Sequence, residues 1–330
     1  MTRRLVVVLV AEAIALLTLL VVGLDLYAHK QVEQLGGFNI WGYRGRVALQ
    51  KQPNEIRLML IGGTRAFSFG GPASGTTAAL VRQFVMVATD RPGGELHPVV
   101  SLNLARMGAL PDSYAPTIER YAYLKPDYIC IYDDLGIGGA ASPESQSGIF
   151  AATRYLPALP LVLREKGMLW QFGVVRFGYV SAEARNGPKP SRLRRAAGAA
   201  LQAVGTAAAA VDGAFASKAT SSRDKLAGDS NPSTYADTLL GAIDTALQHA
   251  RGVVLVVSPA ERAPQMANLA AVSRRIADRP NPRLRFVDLG DVPELREKTL
   301  RLDDWNYGGD ATAAAARRIT PAVVDLIAQR

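Results

Sequence analysis

The sequence predicts a three-layer α/β domain built on a five-stranded parallel sheet and preceded by one transmembrane helix. Short apolar runs alternate with helical patterns, which is typical of parallel strands joined by right-handed crossovers. The first run, Ile56–Ile61, leads into a glycine turn that presents Thr64. Near the N-terminus, an apolar segment reaches the ~20 residues that a helix needs to cross a bilayer.

The apolar segment Leu5–Leu24 follows Arg3 and Arg4, which favour a cytoplasmic N-terminus. Because no convincing cleavage site follows, we expect an uncleaved anchor in the inner membrane, with the main domain outside it. Glu12 lies inside this span, where a carboxylate costs about 2.5–3.5 kcal/mol. Either Glu12 stays protonated or reaches the interface, or it faces another transmembrane helix and bonds to it.

The predicted organisation has three parts. Residues 1–30 form the anchor, residues 31–54 a juxtamembrane connector, and residues 55–330 the sheet domain. The predicted strands are Ile56–Ile61, Val99–Leu102, Asp127–Tyr132, Gly252–Val257 and Arg285–Leu289, and the predicted helices are Thr76–Thr89, Tyr114–Leu124, Gln265–Ala277 and Asp310–Ile327.

A long insertion, residues 138–236, interrupts the domain between the third and fourth strands. Its apolar first part, Tyr155–Trp170, contains prolines and charges that argue against a second span, so it forms a cap or dips into the membrane interface. The later part is rich in Ala and Gly and carries Arg192, Arg194 and Arg195. These arginines belong either to a solvated helix pair with a linker or to a surface that contacts anionic lipid headgroups.

Composition narrows the class of partner. The chain has 330 residues, of which 48% are hydrophobic, so it can form a sizeable core, and its net charge of +9 suits an anionic partner. We expect a membrane surface rather than nucleic acid, because no basic and aromatic residues alternate. The single cysteine, Cys130, lies in an apolar strand and is predicted to be a packed, inert thiol. No Cys and His cluster indicates a metal, and no cofactor is expected.

Ligands of open parallel sheets bind at the carboxyl ends of the strands, near the switch in strand order. The loops that follow the first three strands, at residues 62–71, 103–110 and 133–139, are expected to meet there. The loop 303–309, which precedes the last helix, can reach the same edge. The sequence therefore predicts a candidate site around Thr64.

Four blocks of the chain resemble membrane-anchored SGNH (GDSL-like) hydrolases. They are NIWGYRGRVALQKQPNEIRLMLIGGTRAFSFG, SLNLARMGA, KPDYICIYDD, and LRFVDLGDV followed by DDWNYGGDATAAAARRI. The resemblance covers most of 39–135 and 252–330 and implies a flavodoxin-like three-layer sandwich. It also implies ester hydrolysis or deacylation, in which a serine attacks, a histidine three residues after an aspartate acts as base, and a serine amide, a glycine and an asparagine stabilise the oxyanion.

The chain departs from this pattern at the residues that would carry out the reaction. The resemblance places Thr64 at the serine, Gly108 at the glycine, Asp133 or Asp134 at the asparagine, Asp303 at the aspartate and Asn306 at the histidine. A hydroxyl is a poor nucleophile without a base, and an asparagine side chain cannot shuttle a proton near neutral pH. An aspartate at the asparagine position sets negative charge where the oxyanion develops. The site is therefore predicted to be degenerate.

Three histidines are candidates for a replacement base, and we expect none to act as one. His29 stands at the membrane boundary, while His97 and His249 belong to the opposite edge of the sheet. All three are predicted to be ordinary surface or capping residues. Asp303 or Asp304 remains as a weak base.

Two functions follow from these expectations. The first is a non-catalytic SGNH-like domain that serves as an accessory or structural subunit of an inner-membrane complex, held by one helix that contacts a partner through Glu12. The second is an envelope esterase or deacylase that acts on acylated polysaccharide or lipid, with Thr64 as nucleophile and Asp303 or Asp304 as base.

Overall fold

In a computed structural model, the protein contains one five-stranded parallel sheet with the strand order β2-β1-β3-β4-β5. The structure describes residues 3–34, 37–68, 73–89, 98–136, 147–173, 190–214, 231–302 and 306–329. The predicted α/β class and strand number are confirmed. The order of the strands is the flavodoxin-like one, with its switch point between β1 and β3.

The chain divides into two compact units, which we call the helical unit and the sheet unit. The helical unit comprises Met1–Gln34, Phe38–Gly42 and Pro143–Ala219, and the sheet unit comprises Leu35–Gly37, Tyr43–Ser142 and Thr220–Arg330.

The main elements follow the predicted order. The strands are β1 (Ile56–Gly62), β2 (Val99–Asn103), β3 (Tyr128–Asp133), β4 (Gly252–Val257) and β5 (Leu284–Asp288), and the helices are α1 (Arg3–Gln34), α2 (Thr64–Phe67), α3 (Thr77–Thr89), α4 (Tyr114–Tyr121), α5 (Gly148–Thr153), α6 (Leu159–Phe172), α7 (Arg192–Ala214), α8 (Pro232–His249), α9 (Ala263–Ala277), α10 (Pro293–Arg296) and α11 (Gly309–Ala328).

Two helical layers cover the sheet. Helices α3 and α11 pack on one face, and α4, α8 and α9 lie on the other. Strands β1, β3 and β4 are buried along their whole length, which explains why they are continuous apolar runs rather than alternating ones. Cys130 lies among them, and burial raises the pKa of its thiol to about 12. This agrees with the predicted inert thiol.

Several boundaries differ from the sequence expectations. Helix α1 runs on to Gln34, into the segment predicted as connector, because no proline or glycine ends it before the Gly36-Gly37 pair. Helix α4 ends at Tyr121 and continues as a 3-10 turn to Leu124, where Lys125 takes a left-handed conformation (φ 51°). Within the described residues, Leu5–Glu33 is the one stretch long and apolar enough to cross a membrane, and a signal sequence can share these features.

In the helical unit, α1 joins the insertion through a polar lock formed by Asp25, His29, Tyr155 and the backbone of Leu156 and Leu159. The Asp25 Oδ1 atom accepts the Leu159 N–H at 2.5 Å, at the first turn of α6, and Oδ2 accepts the Tyr155 hydroxyl. His29 Nε2 lies 2.6 Å from the Leu156 carbonyl oxygen, and its ring meets the Tyr155 ring edge-on at 5.4 Å. Asp25, Ala28 and His29 are therefore buried near the C-terminal end of a helix whose residues 5–24 are exposed.

The burial of His29 corrects the expectation that it is a surface or capping residue. Only 3% of the residue is exposed, because Tyr155 and Leu156, just before α6, pack against it. The contact joins positions 127 residues apart. Nothing local in the sequence could have indicated it.

Helices α6 and α7 form an antiparallel hairpin that packs backbone against backbone. A Cβ atom on Gly198 would lie 2.6 Å from the Gly167 oxygen, and one on Gly205 would lie 2.7 Å from both the Arg164 nitrogen and the Pro160 oxygen. Since real Cβ contacts are never so short, these glycines set the separation of the two helices. They are also the only buried residues of α7.

Candidate functional site

The candidate site lies where β1 and β3 end, at the switch in strand order. The glycines after β1 bring the two strand ends close together. A Cβ on Gly63 would lie 2.4 Å from Asp134 Oδ2, so this position must remain without a side chain. Thr64 follows as the first residue of the short helix α2 and is 8% exposed. Sequence analysis and structure therefore agree on where Thr64 is presented.

The Thr64 hydroxyl is bonded to the backbone of the loop after β2. Gly108 N–H donates to Thr64 Oγ1 at 2.9 Å. Gly108 has a φ of 70°, a left-handed conformation that glycine adopts without strain and that turns its N–H towards Thr64. The backbone donor that the resemblance assigns to oxyanion stabilisation is thus already occupied by the chain's own hydroxyl.

Asp134 fills the space beside Thr64. Its Oδ2 atom accepts the Arg65 N–H at 3.0 Å, and the carboxylate also accepts from the backbone of Thr64. Its Oδ1 atom accepts the Ser258 hydroxyl at 2.9 Å. Burial raises the pKa of Asp134, and the Arg65 charge and these hydrogen bonds offset part of that effect. A buried acidic group therefore takes up the N–H groups at the start of α2.

The Asp133 side chain forms its hydrogen bonds with core residues rather than with the residues around Thr64. Its Oδ1 accepts the Tyr114 hydroxyl at 2.9 Å, and its Oδ2 accepts the Tyr235 hydroxyl and the Leu135 N–H. Desolvation by burial raises the pKa of Asp133 to about 6, although these bonds act in the opposite direction. Of the two aspartates that sequence analysis left open at the asparagine position, Asp134 is the one beside Thr64.

A second charged cluster surrounds Arg65. Its guanidinium is almost fully buried, with Nη2 3.3 Å from Glu261 Oε1 and its centre 5.0 Å from the Tyr307 ring. Arg301 binds both oxygens of the same Glu261 carboxylate and also lies over Tyr307, at 5.9 Å. Burial lowers the pKa of Arg65, but Tyr307, Asp134, Tyr132 and Glu261 together outweigh it, so the pKa is raised and the charge is retained.

The Arg65 cluster brings the loop before α11 to the same edge as Thr64. Asn306, beside Tyr307, is 5% exposed, and its carbonyl oxygen accepts the Leu302 N–H at 2.9 Å. Asp303 and Asp304 lie outside the described residues. The structure therefore brings together Thr64, Gly108 and Asp134, and places the segment that carries Asn306 nearby.

The other predicted residues lie elsewhere. His249 is exposed at the opposite edge of the sheet, where β4 begins, and His97 is outside the described residues. Glu12 and the arginines 192, 194 and 195 belong to the helical unit and are exposed. Across the described ranges, no group of three or more His, Cys, Asp or Glu side chains could hold a metal ion. In the same ranges, no histidine hydrogen-bonds to Thr64.

Sequence reasoning missed the residues that support the site. Arg44, from the GYRG motif, donates to the carbonyls of Phe67 and Ser68 and so holds the end of α2. Burial lowers its pKa to about 10, with a contribution from Arg106. Arg65 and Ser258 were overlooked too. A charged residue inside an apolar motif and a serine closing an apolar strand were the available signals.

No protein-family model matches the chain, and no curated protein matches it in sequence. Among solved structures, the chain is similar to a G-D-S-L family protein from Desulfitobacterium hafniense (10% identity, TM-score 0.41, covering 81% of this chain and 99% of that one). It is similar also to a family two carbohydrate esterase from Cellvibrio japonicus (12%, 0.41, 87% and 65%) and a carbohydrate esterase family 3 protein from Talaromyces cellulolyticus (12%, 0.38, 83% and 99%).

Proposed function

We propose that the protein is a non-catalytic SGNH-like domain that serves as an accessory or structural subunit of an inner-membrane complex. One observation carries the proposal. The hydrogen-bond donors around Thr64 are taken up inside the protein, by the Thr64 hydroxyl and by Asp134. A reacting carbonyl would have to displace a buried carboxylate before it met a donor.

The electrostatics support the same conclusion. Catalysis of acyl transfer depends on donors aimed at the developing negative charge, and losing one donor typically costs about 10²–10³ in kcat. Asp134 places an acidic oxygen beside those donors, and Asn306 cannot return a proton to a leaving group. The Arg65, Glu261 and Arg301 contacts stabilise this closed arrangement rather than an open cleft.

The test compares the full chain with Thr64→Ala on short-chain acyl esters, between about pH 5 and pH 9. Thr299→Ala, at an exposed position, is the matched control. We expect the three proteins to give the same background rate. A rate that Thr64→Ala alone abolishes would overturn the non-catalytic assignment.

The alternative is an envelope esterase or deacylase for acylated polysaccharide or lipid. The position of Thr64 favours it, because the hydroxyl stands at the end of β1, next to a backbone amide at the switch point. Asp303 or Asp304 would then act as base. In this case the loss in Thr64→Ala should be about 10³-fold or more.

The membrane role rests on α1. We propose that α1 crosses the inner membrane with its N-terminus in the cytoplasm and the sheet unit in the periplasm, and that Glu12 bonds to a helix of an integral-membrane partner. Within Leu5–Glu33, an 18-residue window reaches a mean hydropathy of 3.0, and Glu12 is exposed on this helix. A carboxylate at this depth is expensive unless a neighbouring helix pairs with it.

Extraction in mild detergent followed by affinity capture tests this role. We expect integral-membrane proteins to copurify with the wild type and to be lost with Glu12→Leu, while Glu33→Leu at the end of α1 retains them. Recovery of a monomer without partners from native membranes would contradict the subunit role.

A further inference from the structure

We propose that the α6–α7 hairpin docks along an anionic lipid surface, with α7 in contact with the headgroups. The inference rests on the proposed membrane anchoring of α1. It concerns two exposed features of α7, an apolar stripe (Leu193, Val204 and Val211) and a cationic first turn (Arg192, Arg194 and Arg195). Arg192 and Arg194 flank the stripe on its two sides.

The hairpin is fixed to the end of α1. The polar lock places the first turn of α6 against Asp25, so the base of the hairpin stands where α1 would leave the bilayer. Three independent hydrogen bonds, through Asp25 and His29, make this connection. The hairpin therefore continues a membrane-bound element rather than a solvated one.

Helix α7 carries far more apolar surface than a solvated helix needs. Residues 196–211 include no charged side chain over about 24 Å of helix. Leu193, Val204 and Val211 are 82%, 57% and 63% exposed. Their spacings of eleven and seven residues are close to whole numbers of helical turns, so they lie in one stripe. Such a surface indicates a non-aqueous neighbour.

The cationic turn identifies the charge of that neighbour. Arg192, Arg194 and Arg195 occupy the first turn of α7, where the helix dipole disfavours cations, and no acidic residue accompanies them. None of the three makes an ion pair with a residue in the described part of the chain, and all are exposed. Negative charge outside the protein would offset both the unfavourable helix dipole and the lack of an acidic partner. Anionic headgroups beside an apolar phase supply the charge and the apolar contact together.

The experiment uses the full chain reconstituted into vesicles. An environment-sensitive fluorophore is attached at Val204→Cys, or at Thr206→Cys as the matched control on the opposite side of the same helix. Buried Cys130 does not compete for the label, since its pKa is raised to about 12. Vesicles contain phosphatidylcholine alone or with phosphatidylglycerol, and a lipid that carries a quencher at headgroup depth.

We expect quenching at position 204 and much less at 206, with phosphatidylglycerol required. Replacing the three arginines by glutamine should lower the ratio of docked to undocked hairpin about 100-fold, since each basic residue contributes about five-fold near an anionic surface. Replacing them by lysine should preserve docking, and circular dichroism checks that α7 remains folded.

Equal quenching at the two positions, or quenching that ignores both phosphatidylglycerol and the glutamine changes, would overturn the inference. So would a probe at 204 that is shielded in native membranes yet unquenched by lipid, because the occupant is then a protein. Alkaline extraction of the same samples reports α1 insertion separately. A chain that resists extraction while position 204 stays unquenched refutes lipid docking alone, whereas an extractable chain refutes the anchoring itself.

Discussion

The sheet unit and the helical unit use polar and apolar side chains in opposite ways. The sheet unit buries charged groups beside polar or charged partners, such as Asp133 between two tyrosines and Arg65 beside Glu261. The helical unit buries one polar lock, and α6 and α7 otherwise meet through glycines while Leu193 and Val211 remain exposed. Charged side chains therefore contribute to the interior of the sheet unit, whereas close backbone contact joins α6 and α7 of the helical unit.

Asp133→Leu should have the largest effect and should confine it to the sheet unit. The change leaves the buried hydroxyls of Tyr114 and Tyr235 without their acceptor, and we expect a loss of about 4 kcal/mol in the free energy of unfolding. Denaturant unfolding measures the loss. Asp237→Leu, at an exposed ion pair, should stay within about 0.5 kcal/mol.

Asp133 should also give the sheet unit a characteristic pH dependence. Its pKa rises from 3.8 in the unfolded chain to about 6 in the folded one, so the folded state binds the extra proton. Its contribution to stability is present below about pH 4 and is lost as the pH rises through about 6, amounting to about 3 kcal/mol. The difference in unfolding free energy between wild type and Asp133→Asn should therefore change by this amount. A flat difference would show that the carboxyl titrates normally.

Gly198→Ala should weaken the helical unit by about 2 kcal/mol. The new methyl would stand 2.6 Å from the Gly167 oxygen and 2.7 Å from the Gln171 nitrogen, which forces α6 and α7 apart. The matched control is Gly241→Ala in α8, where the methyl meets nothing within 4 Å and should stabilise by up to about 1 kcal/mol. Hydrogen exchange should accelerate in α6 and α7 only; equal acceleration in the sheet strands would break the comparison.

Ser258→Ala tests whether hydrogen bonds to a buried carboxylate stabilise the candidate site, as they stabilise the core around Asp133. The variant removes the donor to Asp134 Oδ1, so the pKa of Asp134 should rise further and stability should fall by about 1 kcal/mol. Thermal unfolding near neutral pH measures the change, with Ser233→Ala at an exposed position as control. An unchanged midpoint would mean that Asp134 does not depend on this bond.

Thr64→Ser should have the smallest effect, because we expect it to produce no esterase activity. The hydroxyl would keep its Gly108 contact, and Asp134 and Asn306 would remain in place. Adding Asp134→Asn and Asn306→His tests whether the site can be rebuilt, measured as ester turnover above background. Activity in the single variant would show that Asn306 does not stand at the histidine position.

The sequence predicted the parts of this molecule that depend on local patterns. Apolar runs located all five strands, and Gly62-Gly63 indicated the turn at Thr64. It could not separate the roles of Asp133 and Asp134, because their partners Tyr235 and Ser258 are 102 and 124 residues away. It also missed Arg57, a buried cation in β1 that pairs with Glu55. Charges inside apolar runs depend on distant contacts that a linear pattern does not carry.

The polar lock imposes an order on biosynthesis. Asp25 meets Tyr155 and Leu159 across 130 and 134 residues of chain, and β1 to β3 lie between them. Because synthesis proceeds from the N-terminus, the first helix must wait with an exposed carboxylate and imidazole until nearly half the polypeptide has followed it. The newborn chain therefore passes through a stage in which the residues of β1 to β3 have been synthesised while Asp25 and His29 still lack the partners that bury them in the folded helical unit.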